Sequence, residues 1–390
     1  MPTAARYPVR ADTRLHYKEL RSKVLLTVVG PVGMSRPYYL CPHCSQGQTP
    51  ADAQLGVAGR GSSPGVRRMA AVVGSEMPFA PACEPMKLLA GLEVAAKAIE
   101  RAAEAVSAEI AQRDAREITR AKQLVLPIVS PRSIAKMYVL MDGVQVPVVA
   151  AETEGRTGRI EGQRARTRAC KLGCVFTQTS VDPDGWPIAI PHPPPTWEPS
   201  KSPKSSASAS TRKLGKEVGS GPPLKSSSAI WNLADQHSPG AVQIVDLYHA
   251  RQHLWKIAAL LHPQDPAAKK AWMAPLKTLL DDGHIEPLVM RLRQIAAEHA
   301  DCHASLAEEI LKEVEYFTAN ASRMRYPEFR EKGFFVGSGV IEAGYKSVVG
   351  ARLKRSGMFW TVRGANAIIA LRCCRLNGRF EDYWEESRAS

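Results

Sequence analysis

The sequence contains no apolar run long enough to cross a bilayer and no Lys-flanked apolar signal near its start, so a membrane protein is not expected and a cytoplasmic, nucleoid-associated location is. A disulfide framework is also missing. The eight cysteines are spread over 390 residues, far too thinly for a disulfide scaffold. Cys373-Cys374 fall in an apolar helix-like segment, and Cys170 and Cys174 in a strand-like one, where a thiol serves as a small hydrophobe. Only Cys41-Pro-His-Cys44 has knuckle spacing, half of a zinc ribbon. A closed zinc site takes four ligands, yet no second Cys-x-x-Cys lies nearby, and His16, His43 and Cys83 lack the spacing. Acidic residues are in deficit: 52 Lys and Arg face 38 Asp and Glu, a net +14. Such a balance points to a polyanionic partner, nucleic acid before membrane, with solubility as the plainer reading. Between Asp184 and Asp235 there is no aspartate at all.

The length allows two or three domains with a substantial core. Residues 1–50 hold the β-prone runs Val24–Val29 and Tyr38–Leu40, separated by Gly30-Pro31 and Gly33, and predict a small β-rich, zinc-ribbon-like unit. Residues 51–82, rich in Gly, Ala and Ser, predict loop or poorly ordered chain. In 83–130 the spacing of Leu88, Leu92, Ala95, Ile99, Val106 and Ile110 predicts a helix whose stripe is core or helix-pairing surface. Residues 256–330 carry further stripes, among them Leu276, Leu288, Leu292, Ile310 and Phe317, and predict an all-helical block.

Three places bring carboxylates to the ends of apolar segments. Met137–Met141 predicts a buried strand running into Asp142-Gly143; the pair suits a metal or catalytic position, or a plain hairpin turn. Ala241–Val245 predicts a buried strand ending at Asp246, with His249 and His253 following at one-turn intervals. A zinc site is conceivable from that spacing, and so is a capping Asp with packed histidines. Glu342 sits among small and apolar residues in Gly333–Lys346, before the cationic run Arg352-Leu-Lys-Arg. It is either a paired or metal-holding carboxylate or an exposed Glu at a helix N-terminus, where the dipole favours it.

In order, these segments resemble the ribonuclease-H-like core of DDE transposases, and more closely the ISKra-type insertion-sequence transposases. The resemblance rests on Met141-Asp-Gly-Val-Gln-Val-Pro147, Lys171–Thr179, Ile230-Trp-Asn-Leu-Ala-Asp235, Gln243–Trp255, Gly337-Ser-Gly-Val-Ile-Glu-Ala-Gly344, Ser356–Asn366 and Asn377–Trp384. With Tyr38–Cys44 they span most of the chain. The resemblance implies an α/β fold: a mixed sheet over 131–255, a helical insertion over 256–330, and a core helix with the final Glu over 331–390. It implies metal-dependent cleavage and transfer of double-stranded DNA, with Asp142 and Glu342 as catalytic carboxylates holding Mg²⁺ in a two-metal site. Asp246 and His249 match an Asp-x-x-His element that supports the core and contacts DNA. Arg352, Lys354, Arg355 and Arg363 become phosphate contacts, Trp360 a base-stacking or packing residue, and a homo-oligomer a natural partner state.

One departure matters. The family places its second catalytic Asp in a Gly-Asp-Gly segment just before Trp231, where this chain has Gly221–Ile230 without a carboxylate. The Pro-, Ser- and Lys-rich block 191–228 cannot bury enough apolar surface to fold, so a core strand is expected to be missing or disordered there. The flanks keep their separation, as a compensated pair of frameshifts would leave them. The upstream Cys pair of the ribbon is also missing from residues 1–30. This copy is therefore expected to be degenerate and inactive as an enzyme; alternatively it is a non-enzymatic DNA-binding remnant that occupies element ends or pairs with an intact transposase through the 86–118 helix. A zinc-binding regulator built on Cys41, Cys44, Asp246 and His249 is a third reading.

Overall fold

The computed structural model describes residues 15–123, 136–158, 163–178, 231–232, 234–235, 240–337 and 339–389. Block 191–228 lies outside them, as does the strand expected to be missing there. The fold is mixed α/β, dominated by helices, with two small sheets. It divides into two compact units: 1–125, 146–168 and 347–390 form the first, and 126–145 and 169–346 the second.

The first unit opens with strand β1 (His16–Thr27), antiparallel to β2 (Gly30–Leu40), which pairs with the short β3 (Gly47–Gln48). The turn falls at Val28-Val29 rather than at Gly30-Pro31, because Thr27 closes it: its hydroxyl accepts from Val29 N–H at 3.3 Å and donates to Gly30 O at 2.8 Å. Pro31 and Gly33 consequently lie inside β2.

Residues 51–82, expected as loop, are largely helical: α1 (Pro50–Gln54) and α2 (Pro64–Glu76). Helix α2 starts with Ser63 accepting from Val66 N–H and Pro64 in its first turn, both favourable N-terminal devices. Its buried face joins Val66 and Arg67 to the small residues Ala70, Ala71, Gly74 and Ser75, which bury little area but allow close approach. A methyl group at Gly74 would lie 3.1 Å from Ile99 and 3.3 Å from Ala103. The single helix expected from Met86 onward is two, α3 (Cys83–Ala90) and α4 (Ala96–Gln123), broken at Gly91 with φ 65°. The break leaves Leu88 exposed while Leu92, Ile99, Val106 and Ile110 are buried.

In the second unit β4 (Lys136–Pro147) pairs with β5 (Thr167–Gln178), and both strands run on into residues of the first. Helices α5 (Leu247–Leu261), α6 (Pro266–Asp281), α7 (Ile285–Ala300), α8 (Ala304–Ala319) and α9 (Tyr326–Glu331) gather Leu254, Leu280, Leu288, Leu292, Ile310 and Phe317 into one core. The helical block reads as the stripes predict. Ala241–Val245 does not form a strand; it is extended chain with Val242 exposed and Val245 N–H bonded to Arg323 O at 2.9 Å. The described strands of this unit thus make a two-stranded sheet. Helix α10 (Gly339–Tyr345) ends the unit. A π turn at Lys346–Gly350 leads to α11 (Ala351–Leu353), α12 (Val362–Leu376) and α13 (Phe380–Ala389) of the first.

Candidate functional site

Within the second unit, three segments converge on residues 333–345. From β4, the Tyr138 hydroxyl donates to Gly333 O at 3.4 Å and accepts from Phe335 N–H at 3.3 Å, with its ring edge-on to Phe335. From β5, Leu172 N–H donates to the Tyr345 hydroxyl at 3.2 Å. From the start of α5, Leu247 N–H donates to Val336 O at 2.8 Å. Gly337 lies so close to this last segment that a Cβ on it would stand 3.1 Å from the Tyr248 ring and 3.8 Å from Asp246 Oδ2. The glycine is therefore set by close approach.

Asp142 occupies a position inside β4, which runs unbroken through Asp142-Gly143; the hairpin-turn reading of that pair does not hold. Glu342 is exposed in the first turn of α10, where partial positive charge favours a carboxylate. Asp246 caps α5, its Oδ1 accepting from His249 N–H at 2.5 Å. Its Oδ2 is buried without a hydrogen-bond partner, an acceptor free for water or a cation.

The cap leads into a polar cluster that sequence spacing only half revealed. His253 Nδ1 lies 2.5 Å from Glu313 Oε2, and Lys256 Nζ donates to Glu313 Oε1 at 2.6 Å. Tyr316 stacks on the His253 ring with centroids 3.7 Å apart. Burial pushes the Glu313 carboxyl up, but the hydrogen bonds from His253 and Lys256 outweigh it and hold the group below its ordinary value. Burial, then the charges of Glu313 and Asp246, pushes the Tyr316 phenol upward. The signal available in the sequence was Glu313 itself, beside Val314 and three residues from Ile310, hence on an apolar face.

In the first unit the cationic run divides. Arg352, expected at phosphate, is fully buried. Its Nε donates to Gly74 O at 3.1 Å, and its guanidinium lies 4.9 Å from the Phe79 ring and 4.8 Å from that of Trp360. Burial, then Arg355 and Arg372 nearby, lowers its pKa to about 10. Trp360 is a packing residue, buried, with Nε1–H donating to Leu353 O. Lys354 and Arg355 remain exposed; Arg355 also donates to Ala351 O and Glu76 O. Arg363 is exposed and pairs with Glu104 at 3.0 Å. Arg372, which sequence reasoning missed, is buried and donates to Val348 O, Ser75 O, Ser347 O and Glu76 Oε2.

At the knuckle, the backbone N–H of Cys44, then its thiol and the His43 N–H, lower the Cys41 thiol pKa. Cys41 is buried and Cys44 exposed. His16 begins β1 in register with Leu40, while Cys83 begins α3 with its thiol donating to Phe79 O. Cys170 is buried, and burial pushes its thiol up to about 11. Among the described residues, no group of three or more His, Cys, Asp or Glu is gathered as a metal cage would need. No described helix is long and apolar enough to cross a membrane.

No family model matches the chain, and no curated protein matches it either.

Proposed function

We propose that this chain is a DDE-type transposase of the ISKra type by descent, binding double-stranded DNA, whose own strand-transfer chemistry is lost. The reading combines the quoted motif resemblance with one observation. The segment that carries Glu342 is strapped by Tyr138 to the strand bearing Asp142, by Tyr345 to that strand's partner, and by Val336 to the residue after Asp246. A ribonuclease-H-like core would join the segments that bear its carboxylates in this way, with the helices of residues 256–330 as the insertion. The oxygen donors on offer suit a hard cation such as Mg²⁺. Asp246 Oδ2, buried and unpartnered, is the kind of acceptor such an ion would satisfy. Two ions need a further shared carboxylate, and Gly221–Ile230 supplies none; the donor set does not fit a complete two-metal centre, and no catalytic step is assigned to it. Lys354, Arg355 and Arg363 are the exposed cations left to meet phosphate.

The alternative is a non-enzymatic remnant that occupies element ends or pairs with an intact transposase through the 86–118 helix; of that segment Ile99, Val106 and Ile110 are buried within their own unit, which leaves Leu88 and Leu89 as its exposed large apolar residues. A strand-transfer assay on element-end DNA with Mg²⁺ or Mn²⁺ tests the proposal. Binding without cleavage is expected; cleavage that disappears in Asp142→Asn and Glu342→Gln would overturn the loss of activity, and no binding to any duplex would overturn the family reading.

A further inference from the structure

We infer that His249 and His253 form a binding site for a single divalent transition-metal ion, zinc being the ion of best fit, on the outer face of α5. The two residues lie one helical turn apart, so their side chains share a face. Their Nε2 atoms stand 3.4 Å from each other, with rings edge-to-face at 87°. Two imidazole nitrogens on one tetrahedral zinc, each about 2.0–2.1 Å from the metal, are separated by roughly 3.3 Å. The same spacing is long for a direct N–H···N hydrogen bond, and an octahedral Mg²⁺ would want oxygen.

The other ring nitrogens are already engaged. His253 Nδ1 faces Glu313 Oε2 at 2.5 Å, and Glu313 is itself held by Lys256. His249 Nδ1 faces Gln252 Oε1 at 3.4 Å. With each Nδ1 facing an acceptor, the two Nε2 atoms are turned on one another, and an ion placed between them would bind both. A ligand histidine whose second nitrogen donates to a carboxylate is the arrangement that orients imidazole at metal centres. Tyr316, stacked on His253, holds that ring in place.

Asp246 does not complete the set, since the described residues gather no third ligand. The remaining positions face solvent on the side of the exposed His249 and take water. The site shares no residue with the Cys41–Cys44 knuckle and does not depend on the transposase reading.

The test uses the full chain with Cys41→Ser and Cys44→Ser, stripped with a chelator and titrated with Zn²⁺ by calorimetry, with Co²⁺ spectra as a check on nitrogen and oxygen ligation. One equivalent should bind. His249→Ala, at an exposed position where folding is not at stake, should weaken it more than tenfold, and Glu313→Gln should weaken it about 10- to 100-fold by losing the partner that orients His253. Zinc uptake unchanged in His249→Ala, or no uptake by the parent, overturns the site. Circular dichroism melts of each variant without metal separate loss of ligand from loss of fold.

Discussion

Arg352→Met separates two accounts of the basic run. Placed at phosphate, Arg352 would matter to DNA and little to folding; buried as found, the reverse applies. Its protonation is held at about 10 instead of 12.5, which at about 1.4 kcal/mol per pKa unit makes the buried cation cost about 3 kcal/mol more in the fold than in the unfolded chain. The sign follows because a lowered basic pKa means that the unfolded chain holds the proton more readily, so the penalty operates at every pH below about 10. Against it stand a hydrogen bond from a charged donor to Gly74 O and a weaker one to Met358 Sδ at 3.5 Å, about 2 kcal/mol, and contacts with two rings, about 1–2 kcal/mol together. Methionine keeps most of the packing volume, so the terms nearly cancel and the variant should stay within about 1 kcal/mol of the parent in urea denaturation. Alanine removes buried methylenes and leaves a cavity, and should lose roughly 2–4 kcal/mol. Fluorescence anisotropy on a DNA duplex across a salt series supplies the other axis. The slope of log K against log salt should be unchanged in Arg352→Met, whereas Lys354→Ala and Arg355→Ala should each reduce it by about 0.9 if they meet phosphate. A reduced slope in Arg352→Met at unchanged stability would refute the buried role.

Arg372→Met should contrast sharply, losing about 3–5 kcal/mol in the same denaturation, because three carbonyls lose a charged donor and Glu76 is left with Arg375 alone; a loss under 1 kcal/mol would show that those groups find water. Burial pushes the Asp52 carboxyl up, but Arg36 and Lys23 outweigh it and hold the group below its ordinary 3.8. Stability from that pairing is present above 3.8 and lost as pH falls through the lower folded value; melts of Asp52→Asn should therefore lie below the parent near neutrality and converge with it in acid, and parallel curves would exclude the pairing as the cause. Gly158→Ala places a Cβ 2.9 Å from Gln163 O and 3.1 Å from Arg164 O, both backbone atoms, and should lower Tm, with an unchanged Tm showing that this turn gives way freely. In the gene, one of the other two forward frames across Pro191–Ala229 should encode a helix-like segment ending in Gly-Asp-Gly-Ala and joining Trp231; if neither does, the block is a true variant and the frameshift account fails.

The helices of residues 254–320 were legible because large apolar residues mark their inner face at intervals of three and four, and Leu280, Leu288, Leu292 and Phe317 are the ones buried. Helix α2 was not, although Val66, Met69 and Val73 mark its inner face, because the Gly, Ala and Ser around them, Ala70, Ala71 and Gly74 among them, read as loop. Val242 and Val245 looked like a strand by composition, but Arg323 O takes the Val245 N–H in place of a neighbouring strand. Around the site, the cap made by Asp246 on His249 N–H was one of two readings that the spacing allowed, beside a zinc site. The burial of Arg352 did not, because a guanidinium lodged against Phe79 and Trp360 has the same sequence signature as one offered to phosphate. Glu313 was overlooked for a related reason: its partners His253 and Lys256 are 60 and 57 residues away.

Helix α4 finds part of its packing more than 250 residues further along the chain. Ser107 donates to Ala367 O across 260 residues, and Glu117 meets Arg379 across 262. On the ribosome, the face of α4 that receives α12 must wait while more than half of the polypeptide is made, since synthesis proceeds at about 5–20 residues per second. For tens of seconds Val106 and Ile110, both fully covered in the finished fold, lack their last neighbours and are open to chaperones or to self-association. Contacts of such long sequence separation also form slowly once synthesis is complete. Closure of the first unit thus waits on residues 347–390, and a nascent chain stalled before Val362 would hold α4 without α12 against it.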